Sequence, residues 1–280
     1  MAEPTNNSTP MFRKLPYLTA AFALLALAAC KKDKDDDTPT SLDYVAATDN
    51  AKAEDAFNDA LQQTDAAASA NGLRELDDAC SPTVTIDTVA MPHTMTIDFG
   101  TTNCTASNGR TRRGKLIVTF TGRYRDAGTV ITITPQDYYV NDNHLQGTKT
   151  VTNMGLNENH QPYFNITVDG TLTAADGSWT ASHHADRVRT WTAGYETSTA
   201  LDDTYEITGS GSGVNRNGVS YTVQITNALH VAVGCPFITQ GTVQITPEDH
   251  AVRTIDYGNG ACDASFTVTV DGHTYTVTIG

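Results

Sequence analysis

Six cations stand close together between residues 110 and 125: Arg110, Arg112, Arg113, Lys115, Arg123 and Arg125. In an acidic chain such a cluster is a candidate anion-binding patch for phosphate, lipopolysaccharide or an acidic glycan. The alternative is internal charge balance on one hairpin. Trp179, Trp191 and the pair Tyr138-Tyr139 offer flat rings on which a sugar could stack, or core aromatics. The other chemistry-bearing residues form no recognisable machinery. The eight histidines, at 93, 144, 160, 183, 184, 230, 250 and 273, make no His-Glu-x-x-His pattern. His183 and His184 are adjacent in a strand-like run and must point to opposite faces, so they cannot share an ion. Asn141-Asp142-Asn143 starts like a calcium loop, but the Gly and bidentate Glu that such a loop needs do not follow. Gly209-Ser210-Gly211-Ser212-Gly213 has glycine where a nucleophile elbow needs serine. No helix follows it to make a dinucleotide loop, so it reads as a flexible hairpin arm. After Ser81 the glutamates are only Glu158, Glu196, Glu206 and Glu248, and no carboxylate pair is singled out for glycoside cleavage. No catalytic residue, metal site or cofactor is assigned.

The cysteines divide into one and four. Cys30 closes the run Leu27-Ala28-Ala29-Cys30, directly after an apolar stretch, Leu18–Ala29, that is preceded by Arg13 and Lys14. A basic start and a short apolar core are the marks of a secretory signal, and the stretch is too short for a relaxed membrane span. Met11 is a plausible start. Leu-Ala-Ala-Cys resembles a bacterial lipobox, in which the cysteine is lipidated and becomes the new N-terminus. Several acyl chains at one residue anchor firmly where one chain would not. The next residues, Lys31-Lys32-Asp33-Lys34-Asp35-Asp36-Asp37, form a solvated tether.

Four cysteines remain, Cys80, Cys104, Cys235 and Cys262. An even number in an oxidising compartment points to two disulfides. The midpoint of Cys80 and Cys104 is Pro92, in the turn-like segment Met91-Pro92-His93. The midpoint of Cys235 and Cys262 falls between Glu248 and Asp249, just after Pro247. Residues equidistant from a hairpin turn lie opposite each other, so the expected pairs are Cys80–Cys104 and Cys235–Cys262. A four-cysteine metal site is disfavoured because no Cys-x-x-Cys spacing occurs.

The elements that hold these residues are mostly strands. One helix is expected over residues 51–70, which are Ala-rich and free of Gly and Pro. Ala53, Ala56, Phe57, Ala60 and Leu61 give it a thin apolar stripe to lay on a sheet of the same domain. From Ser81 onward, alternating apolar and Thr-rich runs recur between turn signals. The clearest is the last hairpin: Phe266, Val268 and Val270, a turn at Asp271-Gly272, then Tyr275, Val277 and Ile279. Other strands are expected at 82–88, 94–99, 115–124, 129–134, 144–152, 163–173, 178–191, 204–212, 219–232, 238–246 and 251–257. The fold class is therefore all-β: an extended antiparallel sandwich or curled sheet of roughly a dozen strands, preceded by one N-terminal helix. Two echoes run through it. Thr96-Ile97-Asp98-Phe99-Gly100 precedes Cys104 by the same gap as Thr254-Ile255-Asp256-Tyr257-Gly258 precedes Cys262. Ile166-Thr167, Gly170 and Asp176-Gly177 are spaced as Ile207-Thr208, Gly211 and Asn217-Gly218. The first fits a duplication with pseudo-symmetric ends, and the second fits two hairpins obeying one turn rule. The expected organisation is a signal peptide at 1–29, the lipidated cysteine and acidic tether at 30–41, a helical segment at 42–79 and one β domain at 80–280.

The composition agrees. Thr is the commonest residue, 45 of 280, and the formal net charge is -14. That charge argues against nucleic acid as a partner. Residues 31–80 carry a net -8 and residues 81–280 a net -7, so tether and helix are far more acidic per residue than the body. The Lys/Asp run after Cys30 resembles the acidic export signal of Bacteroidota surface lipoproteins. The segments Thr96–Cys104, Gly109–Asp126 and Tyr138–Asp142 also resemble a group of Bacteroidota envelope lipoproteins. The resemblance covers most of the mature chain and carries no activity with it. It implies lipid anchoring in the outer membrane, facing the cell surface or, alternatively, the periplasm. The function expected is a non-catalytic binding or structural module with a glycan, lipid or protein partner. The alternative is a surface hydrolase acting on polysaccharide or protein, to be separated from the first by binding and activity screens on residues 41–280.

Overall fold

The computed structural model describes residues 44–69, 80–197, 199 and 201–279. The signal peptide, Cys30 and the acidic tether lie outside the described residues. One helix, α1 (Val45–Ser69), is followed by β1 (Thr83–Asp87), β2 (His93–Asp98), β3 (Cys104–Thr105), β4 (Thr111–Phe120), β5 (Val130–Val140), β6 (Asn143–Leu156) and β7 (Pro162–Thr173). Then come β8 (Thr180–Ala193), β9 (Thr204–Val214), β10 (Ser220–Ala232), β11 (Gln240–Pro247), β12 (Arg253–Asn259), β13 (Ser265–Val270) and β14 (His273–Thr278). Apart from β3, which pairs only with the start of β4, the strands form a meander in chain order, and no pairing joins β14 back to β1. The all-β expectation is met by one curled sheet.

The sheet curls because its inner face has something to enclose. Helix α1 touches β4, β5, β6, β7, β8 and β11, and both apolar clusters of the core include its residues. Small side chains let the backbones approach: Ala47, Ala51, Ala53, Ala56 and Ala60 are all buried. Gly170 serves the same end, since a Cβ there would lie 2.5 Å from Cζ of Phe57. The sequence led to a helix lying on a sheet by one stripe. Instead α1 is buried on most of its circumference, and it starts six residues earlier than expected. Val45, Thr48, Asp49 and Asn50 lack strong helix propensity. This stretch is held by packing, with Ala46 and Ala47 in the core and Asp49 bonded to Arg216.

The turns follow their sequence signals. Asp271 and Gly272 both have positive φ, 48° and 79°, as a two-residue primed hairpin turn requires. Because the meander is regular, its turns alternate between two ends. One end carries residues 88–92, 121–129, 157–161, 194–197, 201–203, 233–239 and 260–264. The other carries 99–110, 141–142, 174–179, 215–219, 248–252 and 271–272. The chain enters the helix at this second, root end, where Tyr44 stacks on Tyr275 at 5.3 Å between ring centroids. Among the described residues no helix is long and apolar enough to cross a membrane.

Candidate functional site

Among the described residues, buried charge concentrates inside the sheet, along α1. Alternation in β8 turns His183, Arg187 and Arg189 inward on the same face as Trp191, and β4 and β6 add Arg112 and Lys149. The helix supplies carboxylates opposite them. Arg112 Nε donates to Asp59 Oδ2 at 2.9 Å, and Arg110 Nη2 donates to Asp55 Oδ1 at 2.9 Å. The hydroxyl of Tyr138, itself fully buried, donates to Asp59 Oδ2 at 3.1 Å. Further along, Arg187 Nη2 donates to Glu54 Oε2 at 3.0 Å, and His183 Nε2 lies 3.4 Å from the same oxygen. Lys149 donates to Asn58 Oδ1 at 2.9 Å and to the Phe57 carbonyl at 3.3 Å. Arg216 clasps Asp49 near the helix N-terminus, with its Nε donating to Oδ1 at 2.8 Å. Arg189 reaches Asp65 at 3.8 Å near the other end.

Protonation follows from this packing. Burial pushes carboxyl groups up, but cations hold two of them down. Arg112 and Arg110, with the Tyr138 hydroxyl, keep Asp59 below the ordinary carboxylate range, and Arg187 with His183 keeps Glu54 well below it. Asp55 goes the other way, because its desolvation outweighs the pull of Arg110. Lys149 is lowered to about 8, chiefly by burial, with Glu54 opposing and Arg189 and Arg187 reinforcing. These groups are perturbed by mutual contact in a packed interior. The narrow cleft between α1 and β12–β13, lined by Asp55, Tyr257 and Phe266, has room for about one water. The arrangement can lock the helix in place. It gives a substrate no room beside the charged groups.

The structure takes Arg110 and Arg112 out of the candidate anion-binding patch and separates the other four cations. Arg110 and Arg112 face inward and are only 5% and 4% exposed, neutralised by helix carboxylates. Arg113 pairs with Asp142 and lies 3.8 Å over the Tyr139 ring. Lys115 pairs with Asp98 at 2.8 Å. Arg125 donates to the carbonyls of Tyr195 and Thr197 and sits over Trp191. Arg123 is exposed on the loop at the opposite end from Arg110. The cluster is real in sequence and dispersed in space, because strand alternation and a ten-residue strand separate its members.

The stacking rings are likewise occupied. Tyr139 is held between Arg113 and His144, Trp191 is a core residue, and Trp179 is covered by Arg216 at 4.0 Å. Asn141 and Asp142 make the β5–β6 turn, both at positive φ, rather than a cation loop. No group of three His, Cys, Asp or Glu side chains suited to a metal ion occurs among the described residues. The Gly-Ser run is a hairpin arm. It forms the second half of β9 and pairs with β10 across the 215–219 turn, where a Cβ on Gly213 would lie 2.4 Å from the Tyr221 hydroxyl.

Both disulfides occur as the spacing predicts, with Cα–Cα distances of 5.0 Å for Cys80–Cys104 and 5.8 Å for Cys235–Cys262. Cys235–Cys262 closes the open end of the β11–β12 hairpin. Cys80–Cys104 departs from that picture, because Cys104 belongs to β3 and is paired with Arg112 of β4. The echo between the two margins of the sheet is structural as well. Gly100 N donates to Asp98 Oδ1 at 2.9 Å, and Gly258 N donates to Asp256 Oδ1 at 2.8 Å. Phe99 and Tyr257 are both buried, each before a disulfide cysteine.

Sequence reasoning missed the acidic side of the network. Asp55 and Asp59 stand one helical turn apart, as do the solvated charges of many surface helices. The parity of β8 was the available signal, since Arg187 and Arg189 share the face of Trp191. No family model, curated protein or solved structure matches this chain.

Proposed function

We propose that the protein is a lipid-anchored envelope module, displayed at the outer membrane, whose β body binds or supports rather than catalyses. Leu27-Ala28-Ala29-Cys30, the apolar run before it and the acidic tether after it support the anchor. The two disulfides fit an oxidising compartment. The observation that carries the non-catalytic reading is the engagement of Glu54, Asp59, Arg110, Arg112 and Arg187 with one another in the packed interior. Acid–base chemistry needs such groups within reach of a substrate.

The anchor is tested by metabolic labelling with a fatty acid and by fractionation of cells making the full chain. Wild type should carry the label and follow the outer membrane, and Cys30→Ala should lose both. An unlabelled wild type, or a Cys30→Ala variant that still fractionates with the membrane, would overturn it. Protease treatment of intact cells then separates surface display, in which the body is cut or released, from a periplasmic location. Turnover of polysaccharide or protein by purified residues 41–280 would overturn the non-catalytic reading.

A further inference from the structure

The exposed apolar side chains are not scattered. Among the described residues the four most exposed large ones are Val89 at 95%, Leu201 at 67%, Met91 at 65% and Leu156 at 61%. All four lie at one end of the sheet: in or beside the β1–β2, β6–β7 and β8–β9 turns. This is the far end, opposite the root end where Tyr44 meets Tyr275. Val214 and Val252, at the root end, are exposed only 38% and 45%.

The far end is also a built surface. The Asn153 side chain donates to the Tyr124 carbonyl at 2.9 Å, and Gly128 N donates to the Asn153 carbonyl at 2.8 Å. Arg125 ties the 121–129 turn to residues 195 and 197. Val233 N donates to the Asp203 carbonyl at 3.0 Å, joining the next turn. The turns from β4–β5 to β10–β11 thus hold one another in register around Leu156 and Leu201, and Val89 and Met91 extend the same end on the β1–β2 turn. Exposed apolar groups gathered on a braced rim mark an interaction site more than a solvated surface.

Charge narrows the occupant. Six exposed carboxylates border the tips: Asp87, Asp126, Glu158, Glu196, Asp202 and Asp263. Against them stand Arg123 and Arg125, and Arg125 is already bonded to two carbonyls. A second copy of this rim would meet like charge, and so would an anionic bilayer. We propose that the far end docks a protein partner whose apolar surface is bordered by basic side chains. The inference deepens the reading of the body as a binding module, and it does not require the lipid. The docking end lies at the pole opposite Tyr44.

The test places a photo-crosslinking amino acid at Val89, Leu201, Val214 or Val252 of the full chain in its own cells. The same protein adduct is expected from Val89 and from Leu201, several-fold above any adduct from Val214 or Val252. Its yield from Val89 should fall several-fold in an Asp126→Lys, Asp202→Lys background, while the Cys235–Cys262 bond, mapped without reduction, stays intact. Equal adducts from both ends would overturn the proposal. So would adducts only to lipid or only to a second copy, indifference to charge reversal, or no adduct at all. The Cys30→Ala variant separates the two readings, because loss of membrane fractionation with the far-end adduct retained confirms docking independently of the anchor.

Discussion

At Arg112 two opposing costs meet. Taking a guanidinium and a carboxylate out of water costs several kcal/mol per ion, and only a close, well-bonded pair recovers it. Arg112 and Asp59 have that geometry, with Tyr138 adding a further hydrogen bond. Removing one partner strands the other, so Arg112→Met should destabilise by about 3–5 kcal/mol. The pair of Arg113 and Asp142 is half-exposed, and Arg113→Met should cost less than about 1 kcal/mol. Urea midpoints of the two variants make the comparison. Equal effects would contradict an interior role for Arg112.

The same residues set the acid limit of stability. The native pKa of Asp59 and of Glu54 is lowered, so each contributes stability that is present above the ordinary carboxylate pKa. That contribution is lost as pH falls through the native values. Asp55 has the opposite sign: its raised native pKa favours the fold below the ordinary value and offsets part of the loss. Stability should therefore fall from about pH 4 downward, and Asp59→Asn should lower it at neutral pH while flattening the acid limb. Lys149 acts on the alkaline side. With its pKa lowered to about 8, the unfolded chain binds more protons above that pH, and stability should rise with pH until the ordinary lysine range. Denaturant titrations across pH check both limbs.

At the scale of elements, the helix and the strands that enclose it fit through missing side chains. Gly170 faces the Gln146 carbonyl and the Phe57 ring so closely that Gly170→Ala should cost about 1–3 kcal/mol by overpacking. Trimming the ring in Phe57→Leu should recover part of that loss in the double variant, as a thermodynamic cycle would record. Additive losses would place the strain elsewhere. The disulfides staple the two margins of the sheet, across sequence separations of 24 and 27 residues. Opening either by Cys→Ser should cost roughly 3 kcal/mol, read from the thermal midpoint.

For the whole molecule, helix and sheet are one folding problem. Both apolar clusters contain helix residues, and Arg110, Arg112, Lys149 and Arg187 find their polar partners on α1. A fragment of residues 80–280 would keep every strand yet leave those cations buried and unpaired. It should fail to reach a native near-ultraviolet circular dichroism spectrum, whereas residues 41–280 should fold. A native-like 80–280 fragment would show that the sheet closes without the helix, and the interior network would then be dispensable.

The sequence by itself determined what depends on neighbours in the chain. Alternation specified the strands, Asp271-Gly272 specified its turn, and symmetric placement about Pro92 and about the Glu248-Asp249 step specified which cysteines pair. These signals are short-ranged, because side-chain direction repeats every two residues in a strand and a hairpin turn fixes its own register. Only the tertiary structure decided which way the charges face. Asp55 and Asp59 look like surface residues along α1, and Arg110 to Arg125 look like one patch along the chain. Each becomes interior or exposed when strands distant in sequence curl around the helix and bring opposite charges within hydrogen-bond reach. The same closure leaves Val89, Met91, Leu156 and Leu201, up to 112 residues apart, at a single end of the fold.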